Sequence, residues 1–257
     1  MIIDADCHIS SHKFDAAAIT AAELIAHMDR AGVDKALVWL KPPYNKDIDP
    51  ENRAIYEAAK QHSGRLLPFG WANPRLGANA TYDTIRRCFE EYGFYGIKFN
   101  GAQDDYLIDD PSLALPAIEQ AAVYGKPIAF HIGADFYENT HPYRLGRIAA
   151  AFPEIPLIMI HMGGAGLPSL DRAAIEVAAA HPNITIIGSA IGEHAILRAI
   201  DTLGAQGICF GSDTPFRMIH VQLAMYRALM RDLDPAVQAG VLGGNLARLL
   251  GLPQAEY

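Results

Sequence analysis

Five side chains that can bind a metal ion each stand at the end of a short apolar run. They are Asp6 and His8 in IIDADCH, His131 in KPIAFHIG, His161 in LIMIHMGG and Asp213 in GICFGSD. Imidazoles and carboxylates are common ligands of divalent cations. A bound divalent ion lowers the pKa of a water molecule to about 7, which supplies hydroxide near neutral pH. These residue types therefore predict metal-assisted chemistry, if the fold gathers positions that are far apart in the chain.

The apolar runs that carry these side chains recur at intervals of roughly 30 residues, about one strand and one helix each. The runs are continuous rather than alternating, as in parallel strands covered by helices. The predicted strands are Ile2–Asp6, Lys35–Leu40, Leu66–Trp71, Gly96–Phe99, Pro127–His131, Leu157–His161, Ile184–Gly188 and Ile208–Gly211. The pattern predicts a single α/β domain over residues 1–257, a (β/α)8 (TIM) barrel, whose strand ends all open onto one catalytic face.

The rival architecture is the doubly wound open sheet. That fold usually carries a glycine-rich phosphate-binding loop after its first strand. Here residues 6–15, DCHISSHKFD, contain no glycine. The barrel is therefore favoured over the open sheet.

Several helix boundaries can be predicted. Thr20 precedes an amphipathic segment with Glu23 three residues later, a capping-box spacing, and Gly32 follows at the expected end. Residues 77–92 are amphipathic. The stretch GGNLARLLGL at residues 243–252 is predicted to form a closing helix.

Composition and charge narrow the class of protein. The chain is 51% hydrophobic and 19% charged, which is typical of a globular domain. Its formal net charge of −8 argues against general nucleic-acid binding, which needs clustered cations. No apolar run approaches the roughly 18 residues of a membrane span, and no signal peptide is recognisable. The 3 cysteines show no disulfide pattern, so we expect a cytoplasmic protein. We also expect a small-molecule substrate, and homo-oligomerisation is left open.

Asp6 and His8 are two residues apart on one predicted strand, so their side chains share a face. A buried carboxylate without a partner is costly, which favours metal binding over a structural role for this pair. Asp4 shares the same face one step deeper, and we interpret it as a hydrogen-bonding carboxylate rather than a ligand. Glycines follow His131 and His161, and would let backbone and ligand approach closely.

Asp213 and Lys98 have several candidate roles. Asp213 can ligate an ion, act as a general base towards bound water, or cap the following helix. Lys98 can hold a substrate carboxylate, form a carbamate that bridges two ions, or neutralise the acidic groups; the first is favoured. Four further residues follow predicted strands and either line a pocket or cover the barrel rim: Tyr44, Trp71, Asn73 and Tyr137.

Taken together, these motifs resemble the amidohydrolase superfamily, specifically its amidohydrolase-2 branch of metal-dependent TIM-barrel hydrolases and decarboxylases. The resemblance covers essentially the whole chain. It rests on DADCH, GIKFN, AFHIG, IHMGG, GSDTPF and the tail NLARLLGL, in this order. One position departs from the usual His-x-His motif of the superfamily, because Asp6 stands where the first histidine is expected.

The resemblance implies which residues would form the site. The ligands would be Asp6, His8, His131 and Asp213, with His161 as a second-sphere or substrate-polarising group. The acidic Asp6 favours one ion over two, and so disfavours a carbamate at Lys98. Two imidazoles and two carboxylates suit zinc best, with manganese as the second choice.

The favoured function is hydrolysis of a small, carboxylate-bearing amide, ester or lactone. Asp213 would then transfer the proton, His161 would stabilise the oxyanion and Lys98 would hold the carboxylate. The main rival function is that of a non-oxidative decarboxylase, in which Asp213 protonates a ring carbon. A non-catalytic binding barrel with a vestigial site and a metal-independent lactonase would also be compatible with these residues.

Overall fold

The computed structural model describes residues 1–11, 13, 16–42, 48–133, 135–164 and 170–253. Eight parallel strands pair in sequence order, β1 to β8. The strands are β1 Ile3–Ile9, β2 Lys35–Leu40, β3 Leu66–Trp71, β4 Gly96–Phe99, β5 Ile128–His131, β6 Leu157–Ile160, β7 Ile184–Ile187 and β8 Ile208–Cys209. This confirms the predicted (β/α)8 barrel. Tyr44 lies outside the described residues.

The barrel closes between its last and first strands. Ala5 N donates to Phe210 O at 3.0 Å, and His8 N donates to Thr214 O at 2.7 Å. These bonds and the pairing of Ile9 with Leu40 extend β1 beyond its predicted end at Asp6. Both Asp6 and His8 are therefore held within a hydrogen-bonded strand. The last strand, by contrast, is shorter than predicted and ends at Cys209.

Helices follow each strand and cover the outside of the barrel. They are α1 Ala21–Ala31, α2 Asp49–Gln61, α3 Ala78–Arg86, α4 Ala114–Ala122, α5 Pro142–Ala151, α6 Leu170–Ala180, α7 Glu193–Leu203, α8 Ile219–Leu229, α9 Pro235–Ala239 and α10 Asn245–Leu249. A π-helical segment, Arg87–Glu91, continues α3, as the predicted amphipathic segment requires. None of the helices in the described ranges combines the length and apolar character needed to cross a bilayer.

The predicted capping box of α1 is confirmed. Glu23 N donates to Thr20 Oγ1 at 3.3 Å, and Thr20 N donates to Glu23 Oε2 at 2.9 Å. Gly32 ends the helix in the left-handed conformation, with φ of 70°. The first helix is thus fixed at both ends by its own local sequence.

Apolar side chains fill two layers, one inside the barrel and one between the strands and the helices. In β2, Leu37 and Trp39 point inwards, whereas Val38 and Leu40 face the helices. Each fully buried large apolar side chain contributes about 1.5–3 kcal/mol through the hydrophobic effect. Leu246 of the closing helix α10 joins the inner layer. The inner layer thus packs apolar side chains beneath the polar strand ends.

The loops after β5 and β6 pass very close to each other. Gly133 has φ of 74°, and a Cβ there would lie 2.1 Å from the backbone oxygen of Gly163. Only a residue without a side chain fits this position. The contact holds together the two strand ends that carry His131 and His161.

We expect Gly133→Ala to destabilise the barrel strongly. The matched control is Gly125→Ala, because Gly125 also has positive φ (61°) but a Cβ there meets nothing within 4 Å. The control should lose about 1–2 kcal/mol from backbone strain alone. Gly133→Ala should lose a further 1–3 kcal/mol, approximately, from the clash. Urea unfolding measures both, and equal losses would contradict the close approach.

Candidate active site

The polar residues predicted from the sequence converge at the C-terminal end of the barrel. A pocket of about 210 Å³ is lined by His8, Lys98, Asn100, His131, His161 and Asp213, among others. Asp6 lies just beneath it and is fully buried. The structure therefore brings all six predicted site residues into one place, as parallel strand ends in a barrel allow.

Asp6, His161 and Asp213 form the tightest group. Each offers one ligand atom, and these atoms all lie within 4.8 Å of one another. His8 Nε2 is 3.4 Å from Asp6 Oδ1 and 3.7 Å from Asp213 Oδ1. The His131 ring stands edge-on to that of His161, with 4.8 Å between centroids. His161 is thus nearer to both carboxylates than its expected second-sphere position implies.

These residues fit a divalent cation. Asp6 Oδ1 and His131 Nε2 are buried without a hydrogen-bond partner in the described part of the chain. Buried carboxylates and imidazoles without partners are the donor set that zinc and manganese accept. The fit is for one ion, because the described residues contain one such candidate group, formed by Asp6, His161 and Asp213.

His8 is held in a defined tautomer. Its Nδ1 lies 2.9 Å from the backbone oxygen of Leu40, which can only accept, so Nδ1 carries the proton. The indole N–H of Trp39 donates to Nε2 at 3.0 Å. To bind an ion through Nε2, His8 would have to exchange this indole hydrogen bond for the metal. The predicted ligand role of His8 therefore competes with Trp39.

The pKa values of Asp6 and Asp213 are shifted in opposite directions. Burial and the neighbouring charge of Asp6 raise the pKa of Asp213 well above its usual value. Burial would also raise the pKa of Asp6, but its neighbours His8, His161 and Lys98 together outweigh it and lower the pKa. Burial and mutual repulsion therefore make it unfavourable for both carboxylates to be ionised without added positive charge.

Lys98 is a fully buried cation, and its Nζ has no hydrogen-bond partner among the described residues. Burial lowers its pKa to about 8, although Asp6 and Asp213 partly offset the effect. Its Nζ lies 3.9 Å from the ring centroid of Trp39 and 5.2 Å from that of Trp71. Two aromatic faces thus stabilise an ammonium that still lacks an acceptor.

Ser189, two residues beyond the end of β7, was not predicted from the sequence. Its hydroxyl donates to Asp6 Oδ2 at 2.5 Å and lies 2.9 Å from His161 Nδ1. Since that hydroxyl gives its proton to the carboxylate, it accepts the Nδ1 proton of His161. The lone pair of His161 is then at Nε2. A serine after an apolar strand carries no sequence signal for this role.

The remaining candidates lie outside the acidic group. Asp4 Oδ1 accepts from the backbone of Ser212 at 2.8 Å, in line with a hydrogen-bonding carboxylate. Asn73 accepts from Arg75 N at 2.9 Å and caps a short 3-10 helix, rather than lining this pocket. Tyr137 is 45% exposed, so it belongs to the rim.

Trp71 is fully buried beneath the rim and is held from two sides. Its backbone N–H and oxygen both bond the side-chain amide of Asn52 at 2.9 Å. Its indole N–H donates to Asp104 at 2.9 Å. Burial raises the pKa of Asp104 to about 7. The ring beside Lys98 is therefore fixed by a carboxyl group whose charge changes near neutral pH.

Comparison with known proteins adds a family match. The family model for amidohydrolases, Amidohydro_2, matches residues 3–252. A search of curated proteins found no match.

Several of the solved structures that resemble the chain are decarboxylases. The 5-carboxyvanillate decarboxylase from Sphingomonas paucimobilis has a TM-score of 0.78 and 18% identity, over 98% of this chain and 99% of that one. A 2,6-dihydroxybenzoate decarboxylase in complex with 2,6-dihydroxybenzoate has a TM-score of 0.79 and 19% identity, over 98% and 99%. A dihydroxybenzoic acid decarboxylase from Polaromonas sp. JS666, with manganese and the inhibitor 2-nitroresorcinol, has a TM-score of 0.76 and 18% identity, over 99% of this chain and 98% of that one. At these identities, the likeness shows the fold.

We expect Asp104→Asn to change how stability depends on pH. The folded pKa of Asp104 is raised from 3.8 to about 7, so the folded wild type holds its proton more tightly than the unfolded chain. Wild-type stability should therefore fall as pH rises from about 4 to about 7, by about 3–4 kcal/mol. Asp104→Asn keeps an oxygen that accepts from the Trp71 indole. Its stability should not show this fall with pH, because an amide does not ionise. Melting temperatures at pH 5 and pH 8.5 measure it; a constant difference between the proteins would contradict it.

We expect Ser189→Ala to weaken metal binding by about 10–100-fold, because the hydroxyl orients Asp6 and His161. Calorimetric titration with Mn²⁺ measures the affinity. The melting temperature of the metal-free variant is determined in parallel, because a purely structural role would lower it without changing the affinity. Unchanged Mn²⁺ affinity would rule out the orienting role.

Proposed function

The chain belongs to the amidohydrolase family, and from this premise we propose that it is a metal-dependent, non-oxidative decarboxylase of a small aromatic carboxylic acid. The observation that carries the proposal is the buried ammonium of Lys98, which faces the pocket without an acceptor beside a metal-compatible acidic group. An anionic substrate would supply the acceptor that Lys98 lacks, and a bound divalent ion would supply the positive charge that the acidic group lacks. The similar solved structures support the same class, since they include decarboxylases of 5-carboxyvanillate and of 2,6-dihydroxybenzoate.

Asp6 and Asp213 have different surroundings, which suggests different roles. Asp6 is closed off and bonded to Ser189, whereas the Asp213 side chain is 13% exposed and lines the pocket. Asp213 is therefore the carboxyl group that can reach a substrate. We assign it the proton transfer, with Asp6 as a fixed anionic support.

In the proposed reaction, Asp213 donates a proton to the ring carbon that bears the carboxylate. The bond from this carbon to the carboxylate then breaks, its electron pair returns to the ring, and carbon dioxide leaves. Water restores the proton of Asp213. Lys98 holds an anionic oxygen of the substrate, and Phe216 at the pocket wall offers an apolar surface to the ring.

A divalent ion would be held by Asp6, Asp213 and the surrounding imidazoles. When bound, it supplies positive charge that orients the leaving carboxylate and an adjacent hydroxyl. Zinc was expected from the donor types, while one of the similar structures contains manganese. We propose that either ion can fill the site, and elemental analysis of the purified protein identifies the native one.

The reaction can be tested with metal-loaded protein and a panel of hydroxybenzoic acids. We expect release of carbon dioxide and, in D₂O, deuterium at the carbon that carried the carboxylate. Asp213→Asn, assayed at saturating Mn²⁺, should lower kcat by about 10²–10⁴-fold. The matched control is Asp201→Asn, the same change at an exposed position of α7, which should leave kcat unchanged.

The favoured sequence-based function, a hydrolase, is the second candidate. The family description supports it, and Asp213 is equally able to take a proton from water. Turnover of lactones, esters or amides by the same preparation, with no carbon dioxide from the panel, would favour hydrolysis and exclude the decarboxylase. A protein that binds the metal but turns over neither class would instead be a binding barrel.

A further inference from the structure

Asn100 is a second unpaired donor in the pocket. It follows β4 directly, stands two residues beyond Lys98, and is only 1% exposed. Its side chain lines the same pocket as Lys98 and the acidic group. Nothing in the sequence distinguishes it from an asparagine that merely ends a strand.

The orientation of the Asn100 amide is determined by its neighbours. Its Oδ1 accepts from Ala102 N and Gln103 N, both at 3.1 Å. Because two N–H groups can only bond an oxygen, the amide cannot be turned around. Its Nδ2 therefore points away from the turn, and it is buried without a partner in the described part of the chain. A buried N–H of this kind is costly to leave unpaired.

Lys98 and Asn100 form one donor surface. Residues two apart along an extended strand place their side chains on the same side. The other amide in this wall is already satisfied, because Gln103 Nε2 donates to Asp135 Oδ2 at 2.7 Å. The wall thus offers one charged and one neutral donor, and the residues described here provide no acceptor for either.

This donor surface faces the acidic group across the barrel. In the strand order β1 to β8, β4 lies opposite β8, which leads to Asp213, and β1 carries Asp6 beside it. A ligand in the pocket therefore meets anionic, metal-compatible residues on one side and hydrogen-bond donors on the other. The two sides call for different groups on the ligand.

We propose that Lys98 and Asn100 bind a second anionic oxygen group, a carboxylate, on the substrate. The substrate is then an aromatic acid with two such groups: one is lost at the acidic group, and the other is held by the donor pair. This inference rests on the proposed function for the first group. Asn100 is the specificity-determining residue for the second group, because its N–H stays unpaired when the bound group cannot accept a hydrogen bond.

Intrinsic fluorescence can test the donor pair without turnover. The chain has 2 tryptophans, Trp39 and Trp71, and both rings face the Lys98 ammonium. Metal-loaded protein is titrated with isophthalate, which has two carboxylates, and with 3-carbamoylbenzoate, in which one carboxylate is a neutral amide. Neither of these two ligands carries the ring hydroxyl that activates the proposed substrates, so the titration measures binding without turnover.

The variant is Asn100→Asp, which keeps the oxygen that accepts from Ala102 and Gln103 but replaces the N–H donor by an acceptor. We expect isophthalate to bind about tenfold more weakly or worse. The affinity for 3-carbamoylbenzoate should stay constant or rise, because its amide can donate to the new carboxylate. Asn100→Ala, which has no side-chain donor, carries the test of isophthalate binding if the aspartate variant does not fold.

The matched control is Asn73→Asp. Asn73 is 4% exposed, and its Oδ1 also accepts a backbone N–H, that of Arg75, but it lies outside this pocket. Its substitution should leave both affinities unchanged.

Equal weakening of both ligands by Asn100→Asp, or no wild-type response to isophthalate, would overturn the inference. The proposed reaction is judged separately, by carbon dioxide release. If the wild type decarboxylates the panel but Asn100→Asp binds isophthalate unchanged, only the proposed donor pair is ruled out. If Asn100→Asp selectively weakens isophthalate binding but the wild type releases no carbon dioxide, only the proposed reaction is ruled out.

Discussion

The burial of two carboxylates side by side is the constraint on which the site depends. Asp6 and Asp213 lie at one point of the barrel mouth, where hydration is lost and like charges repel. The fold compensates in part, with the hydroxyl of Ser189 and the ammonium of Lys98. One oxygen of Asp6 nevertheless has no partner in the described residues. Added positive charge is therefore what this arrangement accommodates best.

The closed sheet makes such crowding possible. Hydrogen bonds between the first and last strands bring Asp6 next to residues more than 200 positions away in the chain, such as Phe210 and Thr214. Below the mouth, buried apolar side chains pack inside the barrel beneath the polar groups. The charged groups consequently face one another and the pocket, rather than solvent.

The pocket is polar in two different ways. On the β1 and β8 side it offers carboxylates and imidazoles, and on the β4 side it offers the unpaired N–H groups of Lys98 and Asn100. The two sides cannot neutralise each other completely, because Asn100 is turned by its own loop. A planar ligand with unlike ends would thus bind in one orientation, which is what positioning a single carbon for proton transfer requires.

The sequence by itself determined the barrel, most strand positions, the capped first helix and the set of ionisable residues at the strand ends. Apolar periodicity and capping are local properties, so they can be read without knowing the fold. The sequence could not show that Ser189 bonds Asp6, from which it is separated by 183 positions, or that Trp39 occupies the free nitrogen of His8. Nor could it show that the amide of Asn100 faces the pocket. These contacts depend on strand register and barrel closure, because hydroxyls, amides and indoles bond whichever partner the tertiary structure brings within reach.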